Sequence, residues 1–277
     1  MVNGVCFGAA AGAAARKGEG RVFRVLHFRP VRLWPVPFLA AALLLAPRLA
    51  AAAGGTAACL TAETGQPASR VIYLTFDDGP SAGTEQLLRV LDRHGVKATF
   101  FVTGQYEGDK AALLRRIDAG GHTIGLHTYE HRYDRIYAGK AAFFADLEKT
   151  DRMVYQAVGR HSRFYRFPGG SANTHCPGWL RTQLKQELAR RGIVYFDWNV
   201  VSGDQGKKVY AAGELFDHVV RGAGQVRGGP LMILFHDTGH CTTTPAAVDL
   251  VISYFEKRGW TFLPVTAQTA PIRFKTS

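Results

Sequence analysis

From Val71 onward the chain repeats one pattern, a short apolar run followed by an amphipathic stretch. Seven runs have the length and composition of strands: VIYLTF, ATFFV, HTIGL, FYRF, VYFDWNV, LMILF and TFLPV. Between them, helices are predicted over Thr84 to His94, Asp109 to Ala119, Lys140 to Val158, Trp179 to Arg191, Ala211 to Gly222 and Pro245 to Lys257. Gly95, Gly159, Gly192 and Gly259 fall where those helices would end, the usual place for a helix-terminating glycine. Strands separated by helices are joined by crossovers, which give a parallel sheet. About seven such units in roughly 200 residues predict an α/β fold, a distorted (β/α) barrel of about seven strands, as a single domain over residues 70–277. An open doubly wound sheet is the alternative. In both, a ligand site belongs at the carboxyl ends of the strands.

The first part of the chain follows different rules. A basic stretch, RVFRVLHFRPVRLW, precedes the apolar run PVPFLAAALLLA and then the small residues of PRLAAAAGG, the order found in an export signal. The run is too short to span a bilayer comfortably. Residues 1–53 are therefore expected to be a signal peptide or an N-terminal membrane-targeting segment, and 54–69 a short linker. Export places the protein in the periplasm, the cell wall or outside the cell, and retention of the segment as a membrane anchor is the alternative. Net charge supports this division. Of 34 Lys/Arg and 22 Asp/Glu giving +12, seven basic residues and only Glu19 lie in 1–53, so the remainder carries 27 basic against 21 acidic residues. Such a mildly basic body suits an anionic polymer, a cell-wall or a membrane surface rather than nucleic acid. Cys6 would leave with the signal; of Cys59, Cys176 and Cys241, the last two, both in loops, are expected to pair in an oxidising compartment.

The strand ends carry the polar residues. Asp77 and Asp78 follow the first strand, His127 the third, Arg166 lies in the fourth, Asp204 shortly after the fifth, and His236 and Asp237 after the sixth. In HTYEH, His127 and His131 are four apart, a spacing that on a helical turn puts both imidazoles on one face. Two neutral imidazoles and one carboxylate form a common set for Zn2+, and Co2+, Ni2+ or Mn2+ fit the same donors. Adjacent strand residues point in opposite directions, so one of Asp77 and Asp78 can ligate a cation while the other faces a water. The cation would also offset their mutual repulsion. His236, closing a very apolar strand, is a candidate general acid.

Together TFDDGP, HTYEH, RFPGGS, DWNVVSGD and ILFHDTG resemble, in order, the five motifs of the polysaccharide deacetylase family, carbohydrate esterase family four, which shares the nodulation-factor deacetylase homology domain. The resemblance covers roughly Arg70 to Val265. It implies a distorted barrel acting as a catalytic domain, with Asp77 as general base, Asp78, His127 and His131 as metal ligands, and His236 as general acid tuned by Asp204. It also implies that Arg166 orients Asp77 and that the Gly169 N–H stabilises the oxyanion. Leu234 would line the cavity for the acetyl methyl, and Tyr129 and Tyr133, flanking the metal segment, are candidates for stacking on sugar. Two departures, Gly169 and Gln205 where the family often has aromatic residues, predict a more open pocket. The expected function is a metal-dependent hydrolase removing N-acetyl groups from an N-acetylated glycan, foremost N-acetylglucosamine or N-acetylmuramic acid in peptidoglycan. Chitooligosaccharide or xylan acetyl groups are the alternative substrates, and a glycan-binding module without turnover is the alternative class.

Overall fold

The computed structural model describes residues 70–105 and 108–275. The expected export segment, the linker, Cys6 and Cys59 lie outside the described residues. No helix among those described is long and apolar enough to cross a membrane.

Strands and helices alternate as the pattern requires: β1 (Val71–Asp77), α1 (Thr84–Arg93), β2 (Thr99–Thr103), α2 (Lys110–Ala119), β3 (Thr123–Thr128), the short α3 (Tyr133–Ile136), α4 (Lys140–Val158), β4 (Phe164–Tyr165), α5 (Gly178–Arg190), β5 (Val194–Tyr195), β6 (Val200–Val201), α6 (Ala212–Gln225), β7 (Leu231–His236), α7 (Thr244–Glu256) and β8 (Thr261–Phe262). The sheet order is β5-β4-β3-β2-β1-β7-β6, with β8 pairing the start of β1. The strand pairs are parallel.

The single strand predicted over residues 194–200 is two strands in the structure. Its first part pairs with β4 at one edge of the sheet and its last part with β7 at the other. Only four residues, 196–199, separate them. Seven strands laid flat would put those edges about 29 Å apart, whereas the linking chain reaches about 17 Å at full extension. The sheet must therefore curl, and the segment joins the edges of an open, distorted barrel.

Curling creates two apolar layers. The larger lies between sheet and helices, where Phe76 of β1 stacks on Phe100 of β2 and Phe235 of β7, with ring centroids 5.0 and 5.9 Å apart. The smaller, built around Phe101, Phe196, Met232 and Val265, fills the barrel. Gly125 of β3 makes room for Phe101, since a Cβ there would lie 2.4 Å from the Phe101 ring. Asp197, in the segment that joins the edges, is fully buried. Its carboxylate accepts hydrogen bonds from the Ser171 N–H (2.7 Å), the Ser171 hydroxyl (2.6 Å) and the Phe274 N–H (2.8 Å). It ties this crossing segment both to the loop after β4 and to the chain's final residues.

Cys176 and Cys241 do not pair. Both are free, buried thiols, the first beside the Pro177 carbonyl, the second between the Thr238 hydroxyl and the Asp204 carbonyl. The sequence placed both in loops, but shared loop character does not bring two sulfurs together.

Because three charge-assisted hydrogen bonds converge on Asp197, Asp197→Ala is expected to lower unfolding free energy by about 3 kcal/mol or more. Urea denaturation measures this, and a loss under about 1 kcal/mol would show that Ser171 and Phe274 find other partners.

Candidate active site

Parallel register places the first pair of functional groups. Asp77 and His236 are register partners at the ends of β1 and β7, so their side chains emerge side by side on one face of the sheet. Leu234, two residues earlier on β7, shares that face.

Asp78 turns away from the strand. Its φ is +70°, and that of His131 is +50°. A non-glycine residue in the left-handed region costs of order 1–3 kcal/mol, and two of the three candidate metal ligands adopt it. His127 sits in β3, while His131 lies in the loop beyond it. The expected helical turn is absent, and a reversal at Tyr129 and Glu130 brings the imidazoles together instead. Asp146 of α4 holds that reversal, accepting hydrogen bonds from the Thr128 hydroxyl and the Tyr129 N–H, both at 2.8 Å, and from the Glu130 N–H at 3.3 Å.

The resulting donor set fits a divalent cation. His127 Nδ1 lies 2.7 Å from the Arg166 carbonyl oxygen. A carbonyl only accepts, so Nδ1 donates and Nε2 keeps its lone pair. Burial favours this neutral form, lowering the His127 pKa below its ordinary value against the pull of Asp77 and Asp78. Asp78 Oδ1 stands 3.4 Å from His127 Nε2 and 3.5 Å from His131 Nε2, buried and without a hydrogen-bond partner. The lone pairs of His127 Nε2 and Asp78 Oδ1 facing across such a gap repel unless a cation sits between them. A tetrahedral ion with bonds of about 2.0–2.1 Å spaces its ligands about 3.3–3.4 Å apart, close to the 3.4 and 3.5 Å found. Burial works against the charge on Asp78, but the pull of the neighbouring histidines in their charged forms and a hydrogen bond from Gln205 hold its carboxyl below the ordinary value.

Arg166 organises the other side. Fully buried, it donates from Nη1 to Asp77 Oδ1 (2.8 Å) and the Thr75 hydroxyl (2.7 Å), from Nε to the Phe196 carbonyl (3.1 Å) and from Nη2 to the Asp197 carbonyl (3.0 Å). Its guanidinium lies over the Phe101 ring, 4.2 Å from the centroid. Opposite, His236 Nδ1 meets Asp204 Oδ1 at 2.8 Å, and Asp204 Oδ2 accepts the His236 N–H and the Thr244 hydroxyl, each at 2.8 Å. Burial alone would lower the His236 pKa, but the hydrogen bond and charge of Asp204, aided by Asp77 and Asp78, raise it above the ordinary value.

These groups border a cavity of about 470 Å³ lined by Asp77, Asp78, His127, His131, Tyr133, Gly169, Trp198, Val201, Gly203, Gln205, Leu234 and His236. The opening expected at Gly169 is largely filled. Gly169 has φ +73°, and Tyr133 Oη lies 3.1 Å from where its Cβ would stand. Tyr133 is stacked on His175 with centroids 4.2 Å apart. Tyr129 stands apart from this lining, with its ring packed over Gly104 and Lys149 Nζ 3.7 Å from the centroid. Asp237 also faces elsewhere, accepting hydrogen bonds from the Ser81 (2.9 Å) and Thr84 (2.6 Å) hydroxyls, and burial pushes its carboxyl up to about 6.

Comparison with known proteins agrees with this geometry. Residues 64–185 match the family model described as polysaccharide deacetylase. The crystal structure of the catalytic domain of peptidoglycan N-acetylglucosamine deacetylase from Eubacterium rectale superposes with a TM-score of 0.71 at 37% identity, over 79% of this chain and 98% of that one. The chain belongs to the polysaccharide deacetylase family. Among other members, peptidoglycan-N-acetylglucosamine deacetylase of Bacillus cereus is 28% identical over 70% of this chain and 68% of its own length. Peptidoglycan-N-acetylmuramic acid deacetylase of Bacillus subtilis is 29% identical over 72% and 71%. The metal triad and deacetylase fold make this polysaccharide deacetylase a metal-dependent hydrolase in kind.

Asp146, Asp197 and Thr244 support this site and were absent from the sequence-derived set. Asp146 lies inside a predicted helix and offers no pattern of its own; Asp197 stands beside Trp198 in a motif read only for Asp204.

The raised His236 pKa depends chiefly on Asp204, so in the metal-free protein His236 is expected to titrate above the ordinary histidine value, and Asp204→Asn should lower it. The stabilisation from the pair is present below the unfolded-state pKa and is lost as pH rises through the raised native one. Imidazole NMR titration checks the shift, and a midpoint unmoved by the substitution would remove Asp204 from the role.

Proposed function

We propose that the protein hydrolyses the N-acetyl groups of aminosugar polymers, with peptidoglycan as the substrate. The observation that carries the reading is the pairing of Asp77 and His236 in register beside the triad, one carboxylate held by a buried arginine and one imidazole held at Nδ1 by a buried aspartate. A water-attack mechanism needs a proton acceptor and a proton donor at the reacting bond, and these two groups are placed to serve as them. In this reading Asp78, His127 and His131 hold the divalent ion, with Zn2+ best suited and Co2+, Ni2+ or Mn2+ compatible with the same donors. When bound, the ion polarises the amide carbonyl and acidifies water.

The chain's own residues then act as follows. Asp77, oriented by Arg166, accepts a proton from the water that attacks the acetyl carbonyl. The Gly169 N–H supports the oxyanion, Leu234 contacts the methyl, and Asp204 fixes the imidazole that serves as acid. His236 gives its proton to the departing nitrogen, so that amide and water become acetate and amine. Support for a wall polymer comes from the names of the relatives and from the mildly basic body of the chain. Residues 70–277 form the catalytic domain in this proposal, and residues 1–53 direct export to the periplasm, wall or exterior.

Acetate release from intact peptidoglycan and from N-acetylglucosamine oligomers tests the reading. Release from the wall polymer should disappear with chelator and with Asp77→Asn. Release confined to oligomers would overturn the substrate, and glycan binding without any release would favour a binding module. Tyr133, stacked on His175 at the cavity wall, is expected to contact a sugar ring. In Tyr133→Ala, KM should rise about three- to ten-fold with little change in kcat; an unchanged KM would leave the tyrosine a packing role only.

A further inference from the structure

We propose that Gln205 is a positioning residue for Asp78, holding that carboxylate so that a single oxygen is presented to the metal. Asp78 divides its two oxygens. Oδ1 is buried and faces both imidazoles, whereas Oδ2 accepts a hydrogen bond from Gln205 Nε2 at 3.1 Å. An aspartate with one oxygen free can rotate or chelate an ion through both oxygens. One whose second oxygen is engaged keeps a single ligand atom forward, and more of the ion's positions stay open for water and substrate.

The glutamine is itself anchored on both sides. Asp204, immediately before it, is fixed by Ser202, His236 and Thr244. Gly206, immediately after it, has its carbonyl 3.1 Å from His240 Nε2. Gln205 also borders both the 470 Å³ cavity and a neighbouring one of about 350 Å³ lined by Asp78, Pro80, Ser81, Gln105, His131, Thr238 and Gly239. It stands between two openings, so packing does not explain its placement, whereas the amide hydrogen bond does. The same short segment thereby carries Asp204 to the acid and Gln205 to the metal ligand.

This inference rests on the metal-centred reading above and not on the glycan assigned to it. The test uses the full chain stripped of metal, as wild type, Gln205→Ala and Gln205→Met. Co2+ affinity is read by competition with a chromophoric chelator, with the visible spectrum of the Co2+ form and the Tm of each metal-free protein recorded alongside. Both variants are expected to bind Co2+ about ten-fold more weakly, with an altered spectrum and an unchanged metal-free Tm. Methionine keeps the length of glutamine but has no N–H, so it should not rescue. Wild-type affinity in both variants, or in Gln205→Met alone, overturns the proposal. Should Gln205→Ala lose metal-free stability, Gln205→Met decides. Because Co2+ binding is read without turnover, failure to release acetate from any glycan leaves this result standing.

Discussion

Arg166 is the group on which the rest of the structure depends. A guanidinium wholly inside a barrel carries a large desolvation cost, which is compensated only by good hydrogen-bond geometry. Here the side chain reaches a carboxylate, a hydroxyl and two carbonyls. Two of those partners, the Phe196 and Asp197 carbonyls, belong to the short segment that joins the two sheet edges, and one, Asp77, is the candidate base. Its own backbone carbonyl accepts a hydrogen bond from His127 Nδ1–H and so fixes the tautomer of a candidate metal ligand. One residue thus links the segment joining the sheet edges, the candidate base and the metal site, and removing its charge would leave Asp77 as an unpaired buried carboxylate.

The cavity divides into two electrostatic halves. On one side a fixed cation accompanies a carboxylate; on the other a fixed carboxylate accompanies an imidazole, each pair buried and 2.8 Å apart. Parallel register makes these opposite pairs neighbours, since one strand separation is the distance from β1 to β7. Between them, Asp78 and His131 adopt left-handed backbone conformations. Ligation would offset that strain and the facing lone pairs together, which is why the conformational cost and the orphaned Oδ1 occur at the same point.

Much of this was legible in the sequence for a physical reason. Apolar runs, glycine terminators and polar residues at strand ends are local signals, and local signals place β1, β2, β3, β7 and the helices along with the residues at their ends. Partnerships made across the fold leave no such trace. Asp146 braces a loop 16 to 18 residues away, and Asp197 grips Ser171 and Phe274 at separations of 26 and 77. Residues 194–200 have continuous strand character, so nothing local marks the point where they pass from one sheet edge to the other. The HxxxH spacing was informative about proximity but not about conformation, because a strand end followed by a braced reversal satisfies it as well as a helical turn.

The departures at Gly169 and Gln205 show which parts of such a site can vary. Residues that handle protons or the ion stand on strand ends or are braced by buried partners, and sub-ångström placement is demanded of them. Part of the wall comes from loops, where one side chain can take over a volume that another position leaves free. At Gly169 the absent side chain is matched by Tyr133, which opens α3 and is backed by His175 from Gly169's own loop. At residue 205 an amide meets the metal ligand itself. Loss of a wall residue in the sequence therefore does not imply an open pocket: the space is shared among loops, and its shape is a property of their packing rather than of any one motif.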